Sequence, residues 1–322
     1  MHIDTYCSIM TACVAEGGEL FVTVMNDALA EERQQHAVPL VFDSGGWSFL
    51  SNDAVLPWVA AGAARLGNEF VLVGWGGQVL AVAGTSSRRE AIIRRDGEPV
   101  SIIRAVERIG DGVYAAGMRR QVYLRSSGKW MEIDAGADYR GDEIDVGFEA
   151  IAGFDSEEVY AAGFGGALWS YGKQGWKEIH SPTNLHLHSM SCAVDGKVYV
   201  GGRKGILLAG RGQSWNVEMT GLDEPIRDVH WFGGQLFLLT ASGVFSYSGK
   251  GAEPIVPGEL TDVGYVCLAS AQGVLFVVGH KSILKYDGTN WQKLPLALKD
   301  GMESSPAFVF LNNEAALDRD EE

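Results

Sequence analysis

Short apolar runs closed by a small residue recur along the chain, most clearly as Val113-Tyr114-Ala115-Ala116-Gly117, Val159-Tyr160-Ala161-Ala162-Gly163, Val198-Tyr199-Val200-Gly201-Gly202 and Leu275-Phe276-Val277-Val278-Gly279. Weaker copies are Leu20 to Val24, Phe70 to Gly74 and Leu236 to Thr240. The seven copies end at residues 24, 74, 117, 163, 202, 240 and 279. A step of roughly 40 to 50 residues marks the repetition of one supersecondary unit. Ahead of the central runs lie strands with apolar residues three apart, such as Ile103/Val106/Ile109, Phe148/Ile151/Phe154 and Ile226/Val229/Phe232. Behind them, 13 residues after Gly117, Gly163 and Gly202 and 12 after Gly279, stand Trp130, Trp176, Trp215 and Trp291, each opening another short strand. Turn dipeptides such as Asp111-Gly112, Asp195-Gly196, Ser127-Gly128 and Asp287-Gly288 separate the runs, and these supply the positive φ of tight hairpins.

The predicted unit is therefore four short antiparallel strands. One such sheet cannot bury both its faces, whereas seven packed radially can, so the expected fold is all-β, a single seven-bladed β-propeller. The repeated Trp and Gly read as packing residues, bulk in one place and close backbone approach in another. Segments such as Ile283 to Trp291 and Val159 to Trp176 resemble the bacterial WD-repeat/YVTN/BNR-like propeller superfamily over about residues 8 to 295. That resemblance implies the fold and leaves activity open. The sialidase branch of the superfamily carries a Ser-x-Asp-x-Gly-x-x-Trp box; here Lys285 stands at the serine position, and no catalytic residue is carried over. Blades are expected near 8–50, 55–93, 101–134, 147–180, 187–218, 226–256 and 263–295. A closing strand is expected at 307–311 and an acidic tail at 312–322.

Two units are longer than the others. The first takes 23 residues from Val24 to Trp47 instead of 13, and the added polar stretch, with Asn26 or Asp27 at its start, reads as a short capped helix inserted in blade one. The chain from Trp130 to Phe148 is longer than its counterparts and carries Asp138, Asp142, Glu143 and Asp145. The first insertion joins strands two and three, the second joins strand four to the next blade, and in a propeller both connections emerge on one face. The hairpin tips of that face carry Trp75, Met118-Arg119-Arg120, Phe164, Arg203-Lys204 and His280-Lys281. Aromatic and basic side chains of this kind are enriched at protein contacts. The candidate partner-binding set is thus Trp75, Arg119, Arg120, Phe164, Arg203, Lys204, His280, Lys281, Asp142, Glu143 and Asp145, although the three acids could instead pair with the basic tips within the molecule.

The balance of 26 basic against 41 acidic residues, −15 overall, argues against nucleic acid or an anionic membrane as partner and for a protein with a basic surface. The first residues lack the basic region of a secretory signal. Cys7, Cys13, Cys192 and Cys267 show no metal or disulfide spacing. Cytoplasmic location and a monomer when unbound are expected.

No P-loop or nucleophile elbow occurs, and the glycine-rich segments 74–77 and 163–166 join strand to strand. His180, His186 and His188 share one connection, and residues two apart on a strand face the same way. No carboxylate or cysteine joins the three at close ligand spacing, so no metal ligand is assigned and no cofactor is expected. Arg104, Glu107, Glu149, Arg227, Asp228 and His230 are expected on inner strands. The expected function is a non-enzymatic protein-binding propeller, an immunity or neutralising protein that covers a toxin or effector domain with its loop-bearing face. The alternatives are a glycan hydrolase or lyase using Glu107, Glu149 or Asp228 as acid and base at the channel mouth, or a scaffold for assembling a larger complex.

Overall fold

The computed structural model describes residues 2–43, 45–51, 55–260 and 264–312. Seven four-stranded antiparallel sheets follow one another along the chain, spanning 7–49, 60–91, 103–132, 148–178, 187–218, 228–254 and 265–293. Strand order within each sheet follows chain order, so every blade is a simple meander. The expected seven-bladed all-β propeller is the observed fold.

Seven apolar clusters lie between successive blades. The cluster joining blades three and four contains Ile109, Tyr114 and Ala116 from one and Phe148, Ile151, Trp169 and Trp176 from the other. The last cluster joins blade seven to blade one through Phe276, Val278 and Ile283 against Ile9, Val22, Val24 and Trp47. This arrangement explains why the second strands are mostly apolar. Gly112–Gly117 is buried at every position because both of its faces meet a neighbouring blade.

The glycine that ends strand two has a steric cause. A Cβ on Gly117 would collide with the carbonyl of Ile102, and one on Gly163 with the carbonyl of Gly147. In both cases the obstacle is the incoming connection, which runs against the end of strand two and hydrogen-bonds to the residue after the glycine. The repeated tryptophans are mainly packing groups, as expected. Trp176 is buried against Phe148 and donates its indole N–H to the carbonyl of Ile133, 2.8 Å away, in the connection from the preceding blade. Trp215 is buried against Tyr160, while Trp130 and Trp291 are only half-buried.

The insertion of blade one is a helix, α1 (Asp27–Glu31), whose N-cap Asn26 accepts a hydrogen bond from the Leu29 N–H at 3.1 Å. The closing strand expected at 307–311 is not found: Pro306–Leu311 is a second helix, α2, capped by Ser305. The strand expectation rested on Phe308-Val309-Phe310, three consecutive residues of high strand propensity. Ser305-Pro306 is a helix-start signal, and the outer edge of blade one is already met by residues 297–299, which pair with Trp47. Helix α2 packs against the insertion of blade one. The Asn26 side-chain amide donates to the carbonyl of Leu311 at 2.9 Å, and Phe310 meets the His36 ring at 5.3 Å.

Ring closure falls to residues 294–299. Ile3 donates to Leu296, Trp47 donates to Ala297, and Lys299 donates to Trp47, all through the backbone. The acidic tail expected at 312–322 lies, from residue 313 onward, outside the described residues. Among the described residues no helix is long and apolar enough to cross a membrane.

Candidate protein-binding face

The turns between strands two and three and the connections between blades form one face of the ring, as the hydrogen bonds between them show. Ile103 donates to Trp75, Met118 to Ile102, Phe164 to Gly147, Arg203 to His186, and Ile9 to His280. Both insertions lie here. The long connection after blade three clamps its own tip: Arg119 N–H donates to Val146 at 2.7 Å, Tyr139 N–H to Arg119 at 2.8 Å, and the Arg119 guanidinium to Gly141 at 3.2 Å. In blade one, Asp27 at the start of α1 accepts from Ser8 at 2.7 Å and pairs with Lys281 on the tip of blade seven.

The tips of blades three, four and five share a left-handed turn and differ in what they place on it. Blade four uses Gly165 and Gly166, at φ of 63° and 77°, whereas blade five uses Lys204 at 55° and blade three uses Arg119 and Arg120 at 57° and 55°. A side chain in this conformation is strained by about 1–3 kcal/mol, a cost glycine avoids. Basic side chains are therefore held on two tips at positions where a neighbouring blade uses glycine.

The sequence-derived residues divide into two groups. Arg119, Arg203, Lys204, Asp142, Glu143 and Asp145 are exposed, and Trp75 retains 40% of its surface. The other four are engaged within the molecule. Arg120 is half-buried, its guanidinium 5.1 Å from the Trp169 ring and 5.8 Å from that of Tyr139. Phe164 lies 4.0 Å from the His186 ring. His280 bonds the Ile9 carbonyl at 2.9 Å, and Lys281 donates to Cys7 at 2.9 Å as well as pairing with Asp27. Internal pairing of the acidic loop with the basic tips does not occur: among the described residues, Asp142, Glu143 and Asp145 make no ion pair, nor do Arg203 and Lys204.

Exposed apolar residues on the same face escaped the sequence reading. Ile102, Ile144 and Met219 are 48%, 81% and 79% exposed, all in connections between blades. Their signal is a large apolar side chain inside a polar connection, as in Asp142-Glu143-Ile144-Asp145.

The channel is lined by the first strands. A cavity of about 550 Å³ is walled in part by Cys13, Arg65, Glu107, Asp228, His230 and Cys267. Desolvation by the protein around it, and to a smaller extent the charge of Asp228, raises the Glu107 carboxyl to about 7. Burial pushes Asp228 up to about 7, opposed by hydrogen bonds from the N–H groups of Leu268 and Val229 at 2.7 and 2.9 Å. Burial likewise lowers His230 to about 4, and its Nε2 contacts the Ser270 hydroxyl at 2.8 Å. Arg227 is exposed.

Closer to the loop face, Arg104 forks onto Glu149 with contacts of 2.8 and 2.9 Å. Glu149 in turn approaches His186 and His188, which sequence spacing had left without a carboxylate. The cause is a shared irregularity: the register slips after Ile103, after Phe148 and after Leu187, which makes Arg104, Glu149 and His188 the extra residues of equivalent β-bulges. A bulge re-aims its side chain, here bringing residues of neighbouring blades together at the channel mouth. His180, the third histidine of the connection, is not part of the group.

No family model matches the chain. It is 33% identical over 285 residues to the immune protein Tsi7 of Pseudomonas aeruginosa, a match covering 85% of this chain and 92% of Tsi7. Among solved structures, YCF48 bound to D1 peptide superposes with a TM-score of 0.63 over 89% of this chain and 94% of YCF48, at 16% identity. The extracellular domain of the putative one component system BT4673 from B. thetaiotaomicron also gives 0.63, at 13% identity, over 86% of this chain and 38% of that longer one. At such identities the structural likeness shows the propeller fold alone.

Proposed function

The chain belongs to the family of the immune protein Tsi7, and from that membership we propose that it is an immunity protein that binds a toxin domain through its loop-bearing face. The observation that carries the choice of face is its set of uncommitted groups. Arg203 and Lys204, the acids of the 142–145 loop, and exposed Trp75, Ile102 and Ile144 stand on one side of the ring with no ion-pair partner for the charges among the described residues. Apolar anchors amid unpaired charges of both signs suit a protein partner.

The finer reading has three parts. The partner presents a basic surface to the acidic loop, since a net charge of −15 accelerates encounter with a cation. The chain acts in the cytoplasm and is a monomer until it meets the toxin. The repeat descends from the WD-repeat/YVTN/BNR-like propellers, a lineage supported by its strand and tryptophan pattern.

The test is protection. Cells producing the toxin domain captured with this protein from its native host are expected to grow when the wild-type chain is supplied. They should fail to grow with a folded variant carrying Asp142→Lys, Glu143→Lys and Asp145→Lys. Undiminished protection by that variant would move the binding surface elsewhere.

A further inference from the structure

We propose that Glu149, His186 and His188 form a binding site for a zinc-class divalent transition-metal ion at the mouth of the channel. The site needs no toxin partner and stands whether or not the neutralising role holds.

Their ligand atoms, one from each residue, lie within 4.8 Å of one another. Glu149 Oε1 and His186 Nε2 are 4.0 Å apart. That gap is too long for a hydrogen bond, yet one ion with bonds of about 2.0–2.2 Å reaches both atoms after a small side-chain adjustment. His186 Nε2 is moreover a buried atom with no hydrogen-bond partner among the described residues. Such an atom is costly to leave unsatisfied, and an ion at this point would satisfy it.

The remaining surroundings fit a ligand set. The His186 and His188 rings stand 4.7 Å apart, and Phe164 packs on His186 at 4.0 Å, which restricts ring rotation. Arg104 orients the Glu149 carboxylate by bonding both oxygens, and an oxygen already accepting one hydrogen bond retains a lone pair. This is the arrangement of an outer-shell group that fixes a ligand. Two imidazoles and one carboxylate select a borderline ion such as zinc over magnesium or calcium, which prefer oxygen. Three protein ligands leave a coordination position for water or for a side chain of a docked protein. The positive charges of Arg104 and Arg203 oppose the ion, while Glu149 and Asp145 favour it.

The full chain, stripped with EDTA, is titrated with zinc and, separately, with cobalt(II) under visible absorption. We expect saturation at one equivalent, with the intensified cobalt bands of a four- or five-coordinate site. His188→Gln and Glu149→Gln should each weaken zinc binding at least tenfold while leaving the circular dichroism unchanged. Absence of saturable zinc binding by the wild-type chain would overturn the proposal, as would equal binding by the His186→Gln/His188→Gln double variant. The cobalt spectrum of the wild-type protein depends on no variant, so misfolding of a mutant cannot mask the outcome.

Discussion

The indole N–H of Trp47 donates to the carbonyl of Pro295 at 2.9 Å, across 248 residues of sequence. This bond and the backbone pairs around it tie the segment after blade seven to the outer strand of blade one. The ring is thereby closed without strand exchange, since each blade already owns four consecutive strands.

Trp47 is fully buried, so Trp47→Ala removes a large core group together with the closing bond. We expect a loss of about 3–5 kcal/mol, read as a lower urea midpoint. Trp47→Phe should cost less, because it keeps much of the packing.

Arg125 is 1% exposed and joins blade three to two carboxylates of blade two, Glu69 at 2.7 Å and Glu90 at 2.9 and 3.0 Å. Arg125→Met leaves both acids with only the exposed Arg88 as a partner and should cost about 1–3 kcal/mol at pH 7. The pH dependence has a definite sign. Burial alone would raise the Glu90 carboxyl, but hydrogen bonds from Arg125 and Arg88 hold it below its ordinary value of 4.5. Its contribution is complete above that pH and is lost as pH falls through the lower folded value. Urea midpoints of wild type and variant should therefore converge on acidification from pH 7 toward pH 3.

Arg120 lies against Trp169 and Tyr139, fastening the acidic connection to the ring. Arg120→Ala should cost about 1–2 kcal/mol and accelerate amide hydrogen exchange across residues 138–146. Exchange in the strands of blade six should not change.

The acids of the 142–145 loop should act on encounter with the toxin. Replacing Asp142, Glu143 and Asp145 by Asn, Gln and Asn is expected to slow association about tenfold at low salt and to flatten its salt dependence. Stopped-flow mixing at several ionic strengths measures both.

The blades were legible because their signals are local: a run of apolar residues, a glycine where the connection crosses, and a tryptophan opening the fourth strand. Segment 307–311 was misread because propensity in a five-residue window carries no information about whether a sheet edge is free to receive it. At the candidate face, exposure of Arg203 or Lys204 follows from its place on a hairpin tip. The inward turn of Arg120, by contrast, depends on Trp169 in the next blade. Glu149 and His188 occupy equivalent repeat positions, each following the residue that pairs with the glycine ending strand two. Superimposing the repeats would have brought them together; their linear separation conceals it.

Hydrogen exchange of the chain alone and in complex with its toxin domain tests the central claim most directly. The account predicts slowed exchange at 118–120, 138–147 and 203–204, with the turns at 155–158 and 192–198 on the opposite side of the ring unaffected. Protection confined to those opposite turns, with the loop-bearing face unchanged, would contradict it.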